Sequence, residues 1–285
     1  MENVLIAGAS GFVGVNLAVE LLKNNYTVYG IDNFSTGEMS LIYPLLRNKN
    51  FIFAEQNLLD KIDFTVEKVF YCAGNSDFRR FYKDKYTYCI EQIEIIKNLL
   101  DYSRLSGAEF YYITYYLNDN IIKADSLLLS MFSMIEKLIV EYCKKYNINY
   151  KILKTSYLYG INHPKNDKKP INTILFDILN NKNVAINFDE EIYLTYIEDF
   201  CAETTRLISA LQAKNAFELC SKNKVLLSDY AKLIKQISNS TSKIEIKNSN
   251  IINLSYNVNS DLSNPTSLLD GLIKTINFTK MMYFS

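Results

Sequence analysis

The chain has 285 residues, of which 48% are apolar and 22% are charged, values typical of a globular protein with a sizeable buried core. Its 31 basic side chains equal its 31 acidic ones, so no overall charge favours nucleic acid or an anionic membrane as a partner. We therefore expect a small-molecule ligand that is bound by local features.

The cysteine and histidine content excludes several kinds of site. The five cysteines are widely spaced without a C-x-x-C pair, which predicts reduced, mostly buried thiols rather than a zinc or redox site. His163, in a polar loop, is the only histidine, so a multi-histidine metal site is excluded and we predict no metal. No signal-peptide pattern opens the chain and no segment is apolar for roughly 18 residues, which predicts a cytoplasmic protein.

Short β-branched or aromatic segments alternate with longer amphipathic ones, as in repeated βα units around a parallel sheet. The predicted strands cover residues 4–7, 27–31, 51–54, 68–72, 109–114 and 150–154. The predicted helices cover residues 12–24, 86–103 and 126–146, and a later amphipathic segment covers 171–180. This pattern predicts an α/β fold, with a doubly wound parallel (Rossmann) sheet over residues 1–160. Residues 161–285 are predicted to form a small substrate lobe with return segments to the first domain, and residues 240–285 receive no chemical role.

A glycine-rich segment, Gly8-Ala9-Ser10-Gly11-Phe12-Val13-Gly14, follows the first predicted strand and begins the first predicted helix. Glycines at this spacing allow a tight turn, close approach of a pyrophosphate, and close packing of helix on strand, while the helix N terminus offers free N–H groups. Asp32 lies at the end of the second strand, where a carboxylate accepts both hydroxyls of an adenosine ribose and repels a 2′-phosphate. The pair predicts an NAD site rather than an NADP site, and a glycine packing turn is the structural alternative.

Further segments extend this pattern to about residue 200. They are Asp32-Asn33-Phe34-Ser35-Thr36-Gly37, Ala73-Gly74, Lys137-Leu138-Ile139-Val140-Glu141, Leu158-Tyr159-Gly160 and Tyr196-Ile197-Glu198-Asp199. With the glycine motif, they make the chain resemble an extended short-chain dehydrogenase/reductase of the NAD-dependent nucleotide-sugar epimerase/dehydratase family. The resemblance implies a nucleotide-sugar ligand and an NAD cofactor, with Lys137 at the nicotinamide ribose. It implies these cofactor-binding residues: Gly8, Ser10, Gly11, Phe12, Val13, Gly14, Asp32, Asn33, Phe34, Ser35, Thr36, Asn57, Leu58, Ala73, Gly74 and Lys137.

The catalytic pattern of that family is incomplete in this chain. The resemblance implies a tyrosine acid/base four residues before Lys137, but Ser133 occupies that position, and a serine hydroxyl is a far weaker acid than a phenol. The family's hydroxyl at the end of the fifth strand corresponds to Thr114 or Tyr115, so Tyr115 is a candidate replacement for the missing acid. The predicted catalytic set is therefore Lys137, Thr114, Tyr115 and Ser133.

Positions that contact the substrate in the family also differ. The arginine that pairs with a sugar-nucleotide phosphate corresponds to about Ile192, and Lys154 replaces the arginine at the end of the sixth strand. A loop with Lys165, Lys168 and Lys169 could meet a diphosphate, although such a run is usually a solvated face. Aromatic and basic side chains interleave over residues 78–88, and we interpret them as packing or an interface rather than a nucleic-acid site.

Two functions remain open at this point. The first is NAD-dependent epimerisation, dehydration or oxidation of a nucleotide-activated sugar with a noncanonical acid/base. The second is a catalytically impaired NAD-binding scaffold or sensor of the same fold, which Ser133 and Ile192 both favour. In either case the resemblance implies a homodimer, formed by a four-helix bundle of the two long helices at 86–103 and 126–146 from each subunit.

Overall fold

The computed structural model describes residues 1–73, 78–115, 126–165, 169–209, 214–222, 224–248, 251–252 and 258–284. The chain divides into two compact units, each with its own hydrophobic core. The first unit comprises Met1–Lys154 and Thr204–Phe217, and the second comprises Thr155–Glu203 and Glu218–Ser285. Each unit is therefore built from two separate stretches of chain.

The strands are, in chain order, β1 (Asn3–Ala7), β2 (Thr27–Asp32), β3 (Phe51–Glu55), β4 (Lys68–Tyr71), β5 (Glu109–Tyr115), β6 (Tyr150–Thr155), β7 (Tyr157–Tyr159), β8 (Val184–Ile186), β9 (Asp189–Tyr196), β10 (Ala216–Glu218), β11 (Lys224–Leu226), β12 (Ile244–Ile246) and β13 (Ile251–Ile252). A seven-stranded sheet has the order β10-β6-β5-β4-β1-β2-β3. The pairs β1–β2, β2–β3, β1–β4 and β4–β5 are parallel, and the order of β3 to β6 is the Rossmann order. The predicted fold class is confirmed, and each of the six predicted strands ends within one residue of its prediction.

The helices are α1 (Phe12–Lys23), α2 (Met39–Ile42), α3 (Phe78–Lys83), α4 (Lys85–Ser106), α5 (Ser126–Tyr146), α6 (Pro170–Leu179), α7 (Ile197–Ser209), α8 (Leu227–Ser238) and α9 (Leu268–Tyr283), with a 3₁₀ turn at Leu45–Arg47. The three predicted crossover helices correspond to α1, α4 and α5. Across the described ranges, no helix is both long enough and apolar enough to cross a membrane.

The core of the first unit follows from the patterns that predicted its elements. Val4, Leu5 and Ile6 of β1 are fully buried, as expected for a central parallel strand that is covered on both faces. The buried side chains of α5 recur at helical spacing and pack in the same cluster as β5; they are Leu128, Met131, Phe132, Ile135 and Ile139. The remaining face of α5 consequently points away from this core.

The second unit is built around β9, which pairs in parallel with β7 and β13 and antiparallel with β11. Side chains of α6, α8 and α9 supply much of its apolar core. Asp199, in the first turn of α7, accepts hydrogen bonds from Thr266 N at 2.6 Å and Thr266 Oγ1 at 2.7 Å. It therefore anchors the segment before α9, whose Leu272 and Ile276 are buried.

His163 is buried in the second unit, although its sequence neighbours predict a polar loop. The residue is 1% exposed, with Nδ1 3.0 Å from Gly160 O and Nε2 3.4 Å from Thr279 Oγ1. Tyr283 donates its hydroxyl hydrogen to His163 O at 2.8 Å. These contacts make His163 part of the packing between its loop and α9, and no local pattern could reveal partners so distant in sequence.

Candidate functional site

The turn between β1 and α1 requires its glycines for different reasons. Gly8 has a φ of +92°, and a Cβ there would lie 2.8 Å from Ala73 N. A Cβ at Gly14 would lie 2.0 Å from Gly8 O, so α1 packs directly on the turn. At Gly11, by contrast, a Cβ would meet Gly8 O at 3.4 Å and no other described atom within 4 Å. The backbone at Gly11 is therefore open to a ligand.

The first turn of α1 lies beside this opening. The helix begins at Phe12 with Gly11 as its N-cap residue, and no side chain caps it. Ser10 is fully buried, and its Oγ has no hydrogen-bond partner within the described ranges. Phe12 is buried and Val13 is half-buried. Uncapped N–H groups at the positive end of a helix dipole favour an anionic group such as phosphate.

Asp32 places a fixed negative charge beside the turn. It ends β2 and is 8% exposed. Its Oδ2 accepts a hydrogen bond from Ser10 N at 2.9 Å, and its Oδ1 accepts one from Phe34 N at 2.8 Å. A carboxylate has about four lone-pair sites, so about two remain for a ligand. The group is suited to bind a pair of neighbouring hydroxyls and to repel a phosphate.

The loop that follows β2 contains the next four predicted cofactor residues. Asn33, Ser35 and Thr36 are exposed, and Asn33 Oδ1 accepts a hydrogen bond from Ser35 N at 3.1 Å. Phe34 is half-buried, and its ring lies 5.5 Å from the ring of Phe53 in β3. The exposed polar side chains are accessible to a ligand that is held by Asp32.

The remaining predicted cofactor residues follow β3 and β4. Asn57 is exposed and its Oδ1 accepts from Leu59 N at 3.0 Å, whereas Leu58 is 7% exposed and belongs to the core. Ala73 is half-buried and, as noted, lies against Gly8. Gly74 lies outside the described residues. The sheet thus brings the ends of β1, β2, β3 and β4 to one edge, as the sequence predicts for parallel strands.

The predicted catalytic residues lie at the end of β5 and on α5. Thr114 is 1% exposed, and its Oγ1 has no hydrogen-bond partner among the residues described. Tyr115 is the last residue of β5 and is half-buried. Ser133 and Lys137 are both exposed, on the face of α5 that points away from the core.

An ion pair that the sequence did not predict lies next to Lys137. Lys154, at the end of β6, places its Nζ 2.7 Å from Glu136 Oε2 of α5, and the two side chains are 29% and 21% exposed. Lys154 therefore neutralises a carboxylate of α5. The only signal for this pair in the sequence is that residues 136 and 154 carry opposite charges. Because the two residues are far apart along the chain, that signal does not predict a contact.

The cysteines are all free, which confirms the predicted reduced thiols. Cys143, Cys201 and Cys220 are buried, while Cys72 and Cys89 are half-buried. Burial raises the pKa of the Cys72 thiol strongly, and the nearby Asp32 carboxylate raises it further. Cys72 therefore stays a neutral thiol beside Ala73 and supplies no nucleophile at physiological pH.

Two aromatic side chains of the segment at 78–88 pack in the core. Phe81 is fully buried and Tyr88 is 3% exposed, and both belong to the core of the first unit. Arg80 pairs with Glu91 at 2.5 Å, so this basic side chain is already neutralised. These contacts support the packing interpretation for Phe81 and Tyr88, whereas Tyr82 and Tyr86 are 52% and 76% exposed.

The family resemblance is confirmed for the N-terminal region. Residues 4–114 match the model of the NAD dependent epimerase/dehydratase family. A Methanocaldococcus jannaschii protein named "Putative UDP-glucose 4-epimerase" is 28% identical over 199 residues, which cover 64% of this chain and 65% of that protein. The chain thus matches slightly less than two thirds of the length of this relative.

Solved structures share the fold at low sequence identity. An epimerase from Methanothermobacter thermautotrophicus is 17% identical with a TM-score of 0.86, covering 99% of this chain and 93% of that one. A UDP-glucuronic acid 4-epimerase from Bacillus cereus, solved with UDP-glucuronic acid and NAD, is 22% identical with a TM-score of 0.81, covering 99% and 100%. At these identities the likeness establishes the fold.

Proposed function

We propose that this chain, whose N-terminal region matches the NAD-dependent epimerase/dehydratase family, binds NAD and modifies a nucleotide-activated sugar. The observation that carries the proposal is the buried Asp32 carboxylate beside the open backbone at Gly11. Bound there, NAD would supply an acceptor for a hydride from a carbon of the sugar. The reaction would take place in the cytoplasm, as the sequence predicts.

Each part of the dinucleotide has residues that suit it. The pyrophosphate would meet the start of α1, where no side chain caps the helix and the backbone at Gly11 is open. Asp32 would accept hydrogen bonds from the ribose hydroxyls of the adenosine, because its two backbone partners leave lone pairs of the carboxylate available. Asn57 would lie beside the adenine, and the Lys137 ammonium would bind the nicotinamide ribose.

The proton step falls to β5, because Ser133 is an unsuitable acid. Oxidation at a sugar carbon requires that a hydroxyl lose its proton to a nearby base as the hydride leaves. A phenol is a stronger acid than a serine hydroxyl by several orders of magnitude, so it exchanges protons far more readily near neutral pH. We assign this role to Tyr115, which ends β5 and would take the proton as a phenolate, with the neighbouring Thr114 hydroxyl orienting the substrate.

A non-catalytic NAD-binding protein is the second candidate function. Ser133 motivates it, and so does Ile192, which lies on β9 and is 3% exposed where the resemblance implies a phosphate-binding arginine. A buried isoleucine cannot bind a phosphate. This alternative predicts NAD binding without turnover.

The first experiment identifies any nucleotide released from the purified protein and measures binding of NAD and NADP. Products are then followed by mass spectrometry across UDP-, GDP-, CDP- and dTDP-sugars. NAD binding with a modified sugar supports the enzyme, and NAD binding without product supports the scaffold or sensor. A protein that binds neither dinucleotide contradicts both functions.

We also propose a homodimer through the outer faces of α4 and α5. Four apolar side chains there are between 40% and 45% exposed, namely Ile90, Leu127, Met134 and Leu138. Leu99 and Met131 of the same helices are buried in the core, so the two sets are separate. Exposed apolar side chains on neighbouring helices are typical of an interface. Such a face of one chain can pack on the same face of a second.

Light scattering at micromolar concentration tests this assembly. We expect the parent to have the mass of a dimer and Met134→Glu to have that of a monomer, because a buried charge opposes association. Met281→Glu is the matched control, since Met281 is 63% exposed on α9 and outside the proposed interface. A monomeric parent contradicts the proposal.

A further inference from the structure

Two loops meet at the carboxyl ends of β1 and β2, namely the glycine turn at residues 8–11 and the loop at residues 33–38. Glu38 N donates a hydrogen bond to Ser10 O at 3.2 Å. A Cβ on Gly37 would lie 1.9 Å from Ser10 Oγ and 2.8 Å from Ser10 O, so this loop lies directly against Ser10. The two loops are therefore in backbone contact.

The second loop contains a backbone conformation that needs support. Phe34 has a φ of +54°, in the left-handed region that is unfavourable for a bulky L-residue. The other described non-glycine residues with positive φ are all asparagines, which tolerate this region. The hydrogen bond from Phe34 N to Asp32 Oδ1 and the contact with the Phe53 ring hold Phe34 in place. Such a conformation persists only when its surroundings determine it.

We propose that Asp32 is a positioning residue that clasps the two loops together, in addition to its proposed role as a ribose ligand. Its carboxylate holds the glycine turn through Ser10 N and the second loop through Phe34 N. The identity of the ligand rests on the proposed function, but the clasp itself does not. An asparagine has the same shape and only one acceptor oxygen, so it leaves Ser10 N or Phe34 N facing an amide donor.

The clasp makes the preference between NAD and NADP and the order of the two loops both depend on the charge of Asp32. If the Asp32 carboxylate only bound the ribose hydroxyls and repelled a 2′-phosphate, its neutralisation would weaken NAD binding and strengthen NADP binding. The two loops would not change. A clasp predicts that Asp32→Asn weakens binding of both dinucleotides, because the glycine turn that would meet the pyrophosphate is released as well. The two roles therefore differ in the sign of the effect on NADP.

Amide hydrogen exchange of the cofactor-free protein, followed by mass spectrometry, tests the clasp directly. In Asp32→Asn we expect peptides that cover residues 8–11 and 33–38 to exchange about tenfold faster, because the amide oxygen can accept from only one of Ser10 N and Phe34 N and no longer joins the two loops. Peptides from β5 and α5 should exchange as in the parent. Calorimetry of the same variant should give dissociation constants for NAD and NADP that are each raised about tenfold.

Two further variants isolate the contact between the loops. Asn33→Ala removes an acceptor inside the second loop, so exchange over residues 8–11 should not change. Gly37→Ala keeps the carboxylate and forces a Cβ against Ser10, so it should accelerate exchange in both loops, and it serves if Asp32→Asn does not fold. Unchanged exchange in a folded Asp32→Asn or Gly37→Ala overturns the clasp. A parent that binds no dinucleotide contradicts the proposed function alone, and its exchange still decides the clasp.

Discussion

The glycine turn and the segment of α5 at 133–137 are two parts of one proposed site, and they are held by different means. The turn is fixed by backbone hydrogen bonds, such as those from Gly8 N and Ala9 N to Ile31 O. The α5 segment is fixed by side chains, with Ile135 in the core and Glu136 paired with Lys154. A site that is built from backbone demands particular residues, whereas an exposed side chain such as Ser133 can change without any cost to the fold.

The largest effect that this comparison predicts is on folding. Gly8→Ala should lower the free energy of unfolding by about 3 kcal/mol, because an alanine is strained at this positive φ and its Cβ would overlap the Ala73 backbone. Gly107→Ala is the control: Gly107 has a φ of +74° and open space around it, so only the strain of about 1 kcal/mol applies. Urea unfolding measures both. Equal losses for the two variants would mean that the turn is not sterically constrained.

A smaller effect is expected on turnover, in the part of the site that is held by side chains. Tyr115→Phe should lower kcat by about 100-fold, the usual contribution of a general acid/base. Adding Ser133→Tyr to that variant should restore about tenfold, since position 133 is exposed and a phenol there lies one helical turn from Lys137. Steady-state kinetics on the sugar found by the panel measure both changes.

Tyr43→Phe is the control for loss of a phenol, because Tyr43 is 60% exposed just after α2. A Tyr115→Phe variant that turns over as fast as the parent removes Tyr115 from the mechanism. If the parent is inactive and Ser133→Tyr alone creates turnover, the chain is the non-catalytic protein of the second proposal.

The smallest effect concerns the way in which α5 is attached to α4. Tyr142 of α5 donates its hydroxyl hydrogen to Asp101 of α4, which also pairs with Lys97. Hydrogen bonds from Lys97 and Tyr142 lower the pKa of Asp101. Burial, together with the hydrogen bond to Asp101, raises the pKa of Tyr142 to about 12. The stabilisation is therefore complete above the unfolded value of about 3.9 and is lost as the pH falls through the lower, folded pKa of Asp101.

Asp101→Asn tests this attachment. It should cost about 1 kcal/mol of unfolding free energy at pH 7, and the difference from the parent should shrink below about pH 4. Asp63→Asn is the control, because Asp63 and its partner Lys61 are both highly exposed and their pair should contribute little. A difference that does not depend on pH would contradict a role for the Asp101 charge. Denaturant unfolding at several pH values measures the series.

Sequence patterns predicted the features that arise from nearby residues, and they missed those that join distant ones. The limits of α5 were predicted at 126–146 because its apolar spacing is long and regular. β10 was missed because three residues, Ala216–Glu218, are too few to show an alternation. The burial of His163 and the Glu136–Lys154 pair both depend on contacts that no local window contains. The exposed position of Ser133 likewise follows from the packing of α5 and not from its own sequence.

β10 also determines when the large sheet can be completed during synthesis. It is the outermost strand beside β6, and Ile152 N donates to Asn215 O at 2.8 Å. The ribosome must therefore translate residues 156–215, most of them belonging to the second unit, before this edge of the first sheet is covered. An uncovered strand edge is a template for pairing with other chains. The nascent protein is consequently most prone to misassociation while this intervening stretch is being made.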